Sequence, residues 1–436
     1  MTTQWFPTWR RVGTLGSVAP DEHPGPTQTV LLGAQHVLSM TGSTVLGPLL
    51  MGFDPNIAIL ASGLGTLLFF VLTGGRVPSY LGSSFSFIAL VVALTHYSGH
   101  GPNPDIALAC GGIFVAGLVY ALIGVLVGAT GTQWIERLMP PAVTGAVGAA
   151  IGLNLAPVAT RGLGHGGAQT ACGLFALLCM IMLARYAPAF IRRIAILVAL
   201  VLASAVYALA ANGLHLMPPI DFATIRAAPL FGLPHLVTPR FSVQSATLLA
   251  PVALVLVAEN LGHLKALSTI TGRPMEPMMG RTFTADGLAT MLAASMGGTG
   301  VTTYVENIGV MALSRVYSTL TFAVAGSIAV LLGFSPFFGA LLRAIPDAVL
   351  AGLAVGLLGL IAATMVRIWI DNRVDFSDPA NLFPVGVALI AGAGDMSFSI
   401  GTITLGGIST ATIAAIGLNQ LLSFRPGRKD SSHGGQ

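Results

Sequence analysis

Apolar stretches of roughly bilayer-spanning length recur along almost the whole chain, and they leave few options other than a body solvated by lipid. A helix needs about 20 mainly apolar residues to cross the hydrocarbon layer. By that ruler, candidate segments fall near residues 29–50, 56–73, 82–96, 106–129, 138–160, 170–184, 190–211, 247–264, 284–298, 304–318, 319–343, 346–366, 380–393 and 404–422. Several of these fourteen are too short to cross alone. Only 8% of the 436 residues are charged and 54% are hydrophobic, with a mean hydropathy of +0.82. A soluble domain carries about 25% charged residues, so the chain is expected to be an all-α polytopic membrane protein. The 54 glycines and 26 prolines suit helices that pack closely and are sometimes interrupted.

Residues 1–26 are polar and Pro-rich, without the charged and apolar blocks of a cleavable signal peptide. With the N-terminus inside, sixteen of the twenty Lys and Arg residues fall on the cytoplasmic side. Only Arg161, Arg226, Arg240 and Arg343 fall on the other. That bias follows the positive-inside rule, and dropping one span would spoil it. An even number of spans and two cytoplasmic termini are therefore expected.

Two features suggest seven segments used twice in opposite orientations. Pro140-Pro141 opens span five and Pro346 opens span twelve, at opposite membrane faces. Strand-like polar runs at 77–84 and 300–305 precede the short spans three and ten. Paired short, Gly-interrupted segments in corresponding halves point to a transporter's binding site. A half-helix that starts inside the membrane has backbone N–H groups without internal partners and aims its positive dipole end at what lies ahead. Ser83 and Ser84 are expected to cap span three, and Thr302 and Thr303 stand just ahead of span ten.

Span ten begins with Tyr304-Val305-Glu306-Asn307, a carboxylate and an amide in a strongly apolar region. Ionisable groups there are expensive and mark functional sites by default. In span eight, Glu259 and His263 are four residues apart and share a helical face. They read as a substrate contact or a proton relay, although His263 and Lys265 are also compatible with a cytoplasmic helix end. Gln35-His36 in span one either lines the pocket or bonds a neighbouring helix. Asn154 reads as interhelical glue, and Asp286 as an acid near a helix start with a structural or gating role. Cys110, Cys172 and Cys179 lie in apolar segments as small core residues. Neither they nor His96, His100, His165, His215 and His235 have metal-ligand spacing. No phosphate loop or hydrolase elbow appears, which counts against an ATP-driven pump or a serine enzyme.

The run Glu306-Asn307-Ile308-Gly309-Val310-Met311-Ala312-Leu313-Ser314-Arg315 resembles the signature of the nucleobase–ascorbate transporters, or uracil/xanthine permease family. Ser314 stands where that signature usually has Thr. Gln35-His36, Gly82-Ser83-Ser84-Phe85, the block from Ala258 to Leu264, that from Trp134 to Pro141, and Leu332-Gly333-Phe334-Ser335-Pro336 match as well. The likeness covers roughly residues 10–424 and is greatest to the bacterial pyrimidine permeases associated with uracil catabolism.

The resemblance implies fourteen transmembrane segments as two inverted seven-segment repeats, with short β-like runs before half-helices three and ten. A core domain would comprise 29–129 (spans one to four) and 247–343 (eight to eleven). A gate domain, which in relatives also dimerises, would comprise 130–246 (five to seven) and 344–424 (twelve to fourteen). Cytoplasmic tails would be 1–28 and 425–436. Glu259 and Glu306 would hold the base beside Ser84 and the backbone at Phe85, Tyr304 and Val305. His263 would join Glu259 in proton coupling, and Asn307, Gln35, His36 and Ser314 would support the site. The expected function is import of uracil or a related pyrimidine, with xanthine sharing the imide face, by proton symport across the bacterial cytoplasmic membrane.

The chemistry of the residues agrees. Uracil presents two N–H donors and two carbonyl acceptors in one plane; carboxylates suit the donors, and half-helix N–H groups suit the carbonyls. Phe85 offers a ring to stack on. The expected partners are the nucleobase, the lipid bilayer and a second copy of the chain, with no nucleic acid, no metal and no cofactor beyond the proton. An anion carrier on the same scaffold is the alternative, disfavoured by two acids in the pocket. An intramembrane enzyme using Glu259 and His263 is a remote one.

Overall fold

The computed structural model describes residues 5–13, 17–97, 99, 101–163, 167–400 and 403–423. The expected C-terminal tail at 425–436, His100 and His165 lie outside these residues. The described chain is mostly helical. Its principal elements begin with α1 (Pro26–Met51), α2 (Pro55–Leu72), β1 (Leu81–Ser83), α3 (Ile88–Thr95) and α4 (Ile106–Thr130). There follow α5 (Pro141–Asn154), α6 (Gly167–Tyr186), α7 (Ala195–Ala208), α8 (Val252–Thr271) and α9 (Met279–Ser295). The second strand β2 (Val301–Thr303) leads into α10 (Val305–Ser314) and α11 (Thr319–Gly333). Then come α12 (Asp347–Asp371), α13 (Pro379–Ala393), an antiparallel pair of β3 (Phe398–Ile400) with β4 (Ile403–Leu405), and α14 (Gly407–Ser423). Among the described residues, seven helices are long and apolar enough to cross a membrane, or eight if one bent pair is a single span.

Local chemistry sets several boundaries. Asp54 caps α2 by accepting from the Asn56 N–H at 2.8 Å, with Pro55 in the first turn. The α1 helix stops at Gly52, whose φ of 73° is the left-handed conformation glycine adopts cheaply. The stretch 319–343, read above as one span, is broken instead. Ser335 accepts from the Phe338 N–H, Pro336 opens a new helix, Pro336–Arg343, and the two axes differ by 82°. Proline cannot donate to the preceding turn, so the interruption follows from the sequence.

Helix packing divides along the chain. α9 lies on α4, α11 on α2 and α1; α12 lies on α5 and α6, and α13 on α14 and α5. The α4–α9 seam is built on small residues. A Cβ on Gly287 would fall 2.6 Å from the Gly117 carbonyl oxygen, and one on Gly280 would fall 2.5 Å from the Gly128 Cα. Such approach is how membrane helices gain contact without a hydrophobic driving force.

The N-terminal segment, expected to be a polar tail, is folded onto the helix ends. Trp9 stacks on Phe70 with centroids 5.7 Å apart and donates its ring N–H to Thr319 Oγ1. Val18 pairs with the residues after α10, donating to the Arg315 carbonyl and accepting from the Tyr317 N–H. The sequence showed polarity and proline there, but not the two main-chain bonds.

Two expected positions change. Asp286 is not near a helix start: α9 begins at Met279, and the carboxylate is fully buried in mid-helix. His263 and Lys265 do not end their helix either, because α8 continues to Thr271. Hydropathy windows lose register where a helix extends into polar residues, as both do.

Candidate functional site

The two strand-like runs pair with each other. β1 and β2 are antiparallel, with Leu81 opposite Thr303, Gly82 opposite Thr302 and Ser83 opposite Val301. The Ser84 N–H extends the ladder to the Gly300 carbonyl at 2.8 Å. Each strand is three residues long and wholly buried. Each leads into a helix too short to cross a bilayer: α3 has 8 residues and α10 has 10. Non-helical backbone at membrane depth is tolerated only when buried in protein or lining a cavity, and here the two runs satisfy each other.

Ser84 does cap its segment, its hydroxyl accepting from the Ser86 N–H ahead of the 3-10 turn Phe85–Phe87. Ser83 does not; its hydroxyl donates to the Thr44 carbonyl on α1 at 3.0 Å. Nor does a side chain cap α10, which starts from extended Tyr304. The Tyr304 hydroxyl crosses the ladder to the Ser83 carbonyl. Val305 opens α10, and Glu306 stands in its first turn, where an acid complements the helix dipole. The Glu306 carboxylate folds over its own N–H and lies against Ser43 of α1.

Glu259 comes from α8, which packs on α10, β2 and the 3-10 turn. Its carboxylate lies against Ser86 and close enough to Glu306 for the two charges to interact. One of its oxygens, Oε2, is buried with no hydrogen-bond partner. Gln35 Nε2 of α1 and Thr302 Oγ1 of β2 are likewise buried without a partner. Buried polar atoms are nearly always satisfied. Unmet capacity on α1, α8 and β2, the elements that carry or flank these carboxylates, is what a polar binding site presents. Phe85 is buried, and a Cβ on Gly47 of α1 would come 3.7 Å from its ring. Two open surface cavities, about 440 and 320 Å³, lie elsewhere: one beside Phe6 and Arg273, the other beside Trp134 and Gln420.

The remaining expected residues divide by role. His36 is buried, packs on Phe322 at 4.6 Å between centroids, and donates from Nδ1 to Asn307 Oδ1 at 2.9 Å. The Asn307 amide in turn donates to the Tyr80 carbonyl at 3.3 Å. Both ends of Asn307 are thus occupied by protein, and the pair ties α10 to α1. Gln35 keeps its unpartnered amide, so the two neighbours in span one part company. Ser314 lies at the far end of α10, its hydroxyl donating to the Met311 carbonyl and accepting from the Val316 N–H. His263 does not bond Glu259 among the described residues; its Nδ1 meets Thr303 Oγ1 at 2.8 Å.

Ser43, Thr44 and Tyr120 were not singled out from the sequence, and a wider polar network joins Tyr120 to Thr303. Thr303 also donates to Asn260 Oδ1, and Asn260 Nδ2 donates to the Tyr120 hydroxyl and to Asp286. Ser43-Thr44 inside an apolar helix and Tyr120 in mid-span were visible signals. Their partners, far away in sequence, were not. Asn154 is glue, as expected, bonding the Gly392 carbonyl and Asp395. Cys110 and Cys172 are buried, and no group of three or more possible metal ligands occurs among the described residues.

A buried antiparallel pair of strands leading into two short helices, with carboxylates from two elements beside them, is the arrangement of a membrane carrier's binding site. A family model described as "Permease family" matches residues 27–423. RutG of Escherichia coli (strain K12), which bears the name of a pyrimidine permease, is 54% identical over 96% of this chain and 95% of its own length. The uracil permease of Paenibacillus larvae is 37% identical over 91% of this chain and 94% of its own. The chain belongs to the nucleobase–ascorbate transporter family, whose members are permeases and not enzymes. In fold it is similar to the murine anion transporter Slc26a9, with a TM-score of 0.63, 13% identity, and 91% of this chain and 68% of that one covered. The transmembrane domain of the cyanobacterial bicarbonate transporter BicA gives a TM-score of 0.57 at 16% identity, covering 91% and 98%. The protein is a multi-pass membrane transporter.

Proposed function

We propose that the chain imports a nucleobase, uracil or a close pyrimidine analogue, by proton symport. The observation that carries this reading is the meeting of Glu259 and Glu306 with the start of α10 and the 3-10 turn at Phe85. The carboxylates accept from the ring N–H groups, and half-helix N–H groups donate to the ring carbonyls. A wrong base leaves buried groups unpaired, which is a strong source of discrimination. Two like charges brought this close repel each other. Binding a proton relieves their repulsion and prepares acceptance of a neutral base.

In this reading the fourteen helices α1–α14 are two inverted seven-segment repeats with both termini cytoplasmic, in the bacterial cytoplasmic membrane. Helices α1–α4 and α8–α11 form the core domain. Helices α5–α7 and α12–α14 form the gate domain, through which two copies associate. The antiparallel β1–β2 pair supports the repeat, since strands related by an in-plane two-fold axis meet antiparallel. The separate packing of α12–α14 on α5 and α6 supports the domain division.

Purified protein in proteoliposomes should take up protons when uracil is added and accumulate uracil down an imposed proton gradient. Uracil uptake without proton movement refutes symport. A second reading, transport of an inorganic anion, draws on the fold shared with Slc26a9 and BicA. Two facing carboxylates repel such a cargo, and a binding comparison of uracil with sulfate and bicarbonate separates the readings.

A further inference from the structure

The polar groups behind Glu259 form a single directed chain across four elements, and its hydrogen-bond arithmetic reaches His263. The Tyr120 hydroxyl on α4 donates its one proton to the Leu256 carbonyl at 3.4 Å, so it can only accept from Asn260. Asn260 Nδ2 therefore spends its two protons on the Tyr120 oxygen, at 2.6 Å, and on Asp286 Oδ2 of α9. That leaves Asn260 Oδ1 turned toward β2, where it accepts from the Thr303 hydroxyl at 2.8 Å. Thr303 has no second proton to give. The contact of 2.8 Å between His263 Nδ1 and Thr303 Oγ1 must then be donated by the histidine.

We infer that Asp286, Asn260 and Thr303 hold neutral His263 as its Nδ1–H tautomer, making Nε2 the ring atom that accepts and releases a proton. Which nitrogen of an imidazole is protonated is set by the bond the other nitrogen makes. No hydrogen bond among the described residues takes up Nε2, and all members but His263 itself are wholly or almost wholly buried. Proton uptake at the Nε2 lone pair gives the imidazolium, with Nδ1–H still donated to Thr303. Release from Nε2 restores the neutral ring. The chain is indifferent to the charge of His263 and excludes only the neutral form protonated at Nε2. Asp286, Asn260 and Thr303 are positioning residues.

This rests on the proposed coupling role of His263 only for its functional consequence; the tautomer is measured separately. The full chain with ¹⁵N-imidazole histidine, in lipid bilayers, is examined by solid-state NMR. His263→Gln assigns the resonance among the nine histidines. In the neutral form, wild-type His263 should show protonated Nδ1 and bare Nε2. Thr303→Val, of nearly the same shape without the hydroxyl, should shift it to Nε2–H, and Thr303→Ser should restore Nδ1–H. Wild-type His263 protonated at Nε2 overturns the inference, as does Nδ1–H retained in Thr303→Val. If the valine variant fails to fold, the wild-type spectrum decides alone. In uptake assays Thr303→Val should lose maximal rate while KM stays near the wild-type value, and Thr303→Ser should recover the rate. A wild-type uptake rate in Thr303→Val together with the expected spectra would refute the coupling role and leave the tautomer assignment intact.

Discussion

The Tyr304 hydroxyl donates to the Ser83 carbonyl at 2.8 Å, locking the strand before one half-helix to the strand before the other. The ring reaches that position by lying across Gly82, where a Cβ would come within 2.3 Å of Tyr304 Cε2 and 2.8 Å of Thr44 Oγ1. The two halves of the site are thus spaced by one aromatic side chain, and the absence of a side chain at Gly82 makes room for it.

Gly82→Ala should therefore displace Tyr304 and the start of α10. Overpacking of this kind costs about 1–3 kcal/mol. The expected result is a lowered melting temperature together with a larger loss of uracil affinity. Tyr304→Phe, which frees the Ser83 carbonyl without adding bulk, should cost about 1–3 kcal/mol of stability. Thermal unfolding and equilibrium binding on the purified variants measure both. Wild-type affinity in Gly82→Ala would show that the spacing does not matter.

Glu306→Ala should abolish measurable uracil binding, and Glu306→Gln should weaken it. A hydrogen bond to a charged group contributes about 1.5–3 kcal/mol, and each 1.4 kcal/mol corresponds to about tenfold in affinity. Losses of about tenfold to a hundredfold are thus expected for the glutamine variant. Normal binding by Glu306→Ala would refute the site assignment.

Glu259→Gln tests a different function. A neutral side chain of the same shape should retain part of the binding but lose uracil-driven proton uptake. Uptake with undiminished pH dependence in this variant would show that Glu259 is not part of the proton path.

Asn307→Ala should reduce transport without removing any contact to the base. The change strands the His36 donor and the Tyr80 carbonyl, each buried, at about 1–3 kcal/mol per group. His36→Ala should produce a smaller defect of the same kind, and the double variant should be less than additive because the two residues share one bond. A double-mutant cycle on melting temperature and uptake reads the coupling.

Outside the membrane helices, Asp375 in the loop after α12 accepts from the Ser377 hydroxyl at 2.6 Å and the Ser377 N–H at 2.8 Å. These bonds favour the ionised form and hold its pKa below the ordinary 3.8. A lowered folded-state pKa contributes stability above the unfolded value and loses it as pH falls through the folded one. Asp375→Asn should therefore be slightly less stable than wild type at neutral pH, and the difference should vanish in strong acid. Melting curves at the two conditions are the check, with uptake unaffected at neutral pH.

Much of this molecule was legible from its residues. Apolar lengths and sparse charge made it a membrane protein, because lipid leaves no other way to solvate such a chain. The polar runs at 77–84 and 300–305 announced the half-helices, since backbone polarity inside the bilayer is too costly to be incidental. Glu259 and Glu306 stood out for the same reason. What the residues did not reveal was pairing. That β1 and β2 bond to each other, that His36 engages Asn307, and that His263 turns to Thr303 are contacts across 220, 271 and 40 positions of the chain. Periodicity and cost identify which groups must be satisfied. Only the packed helices determine which partner satisfies each one, because a hydrogen bond depends on distances that the order of residues does not contain.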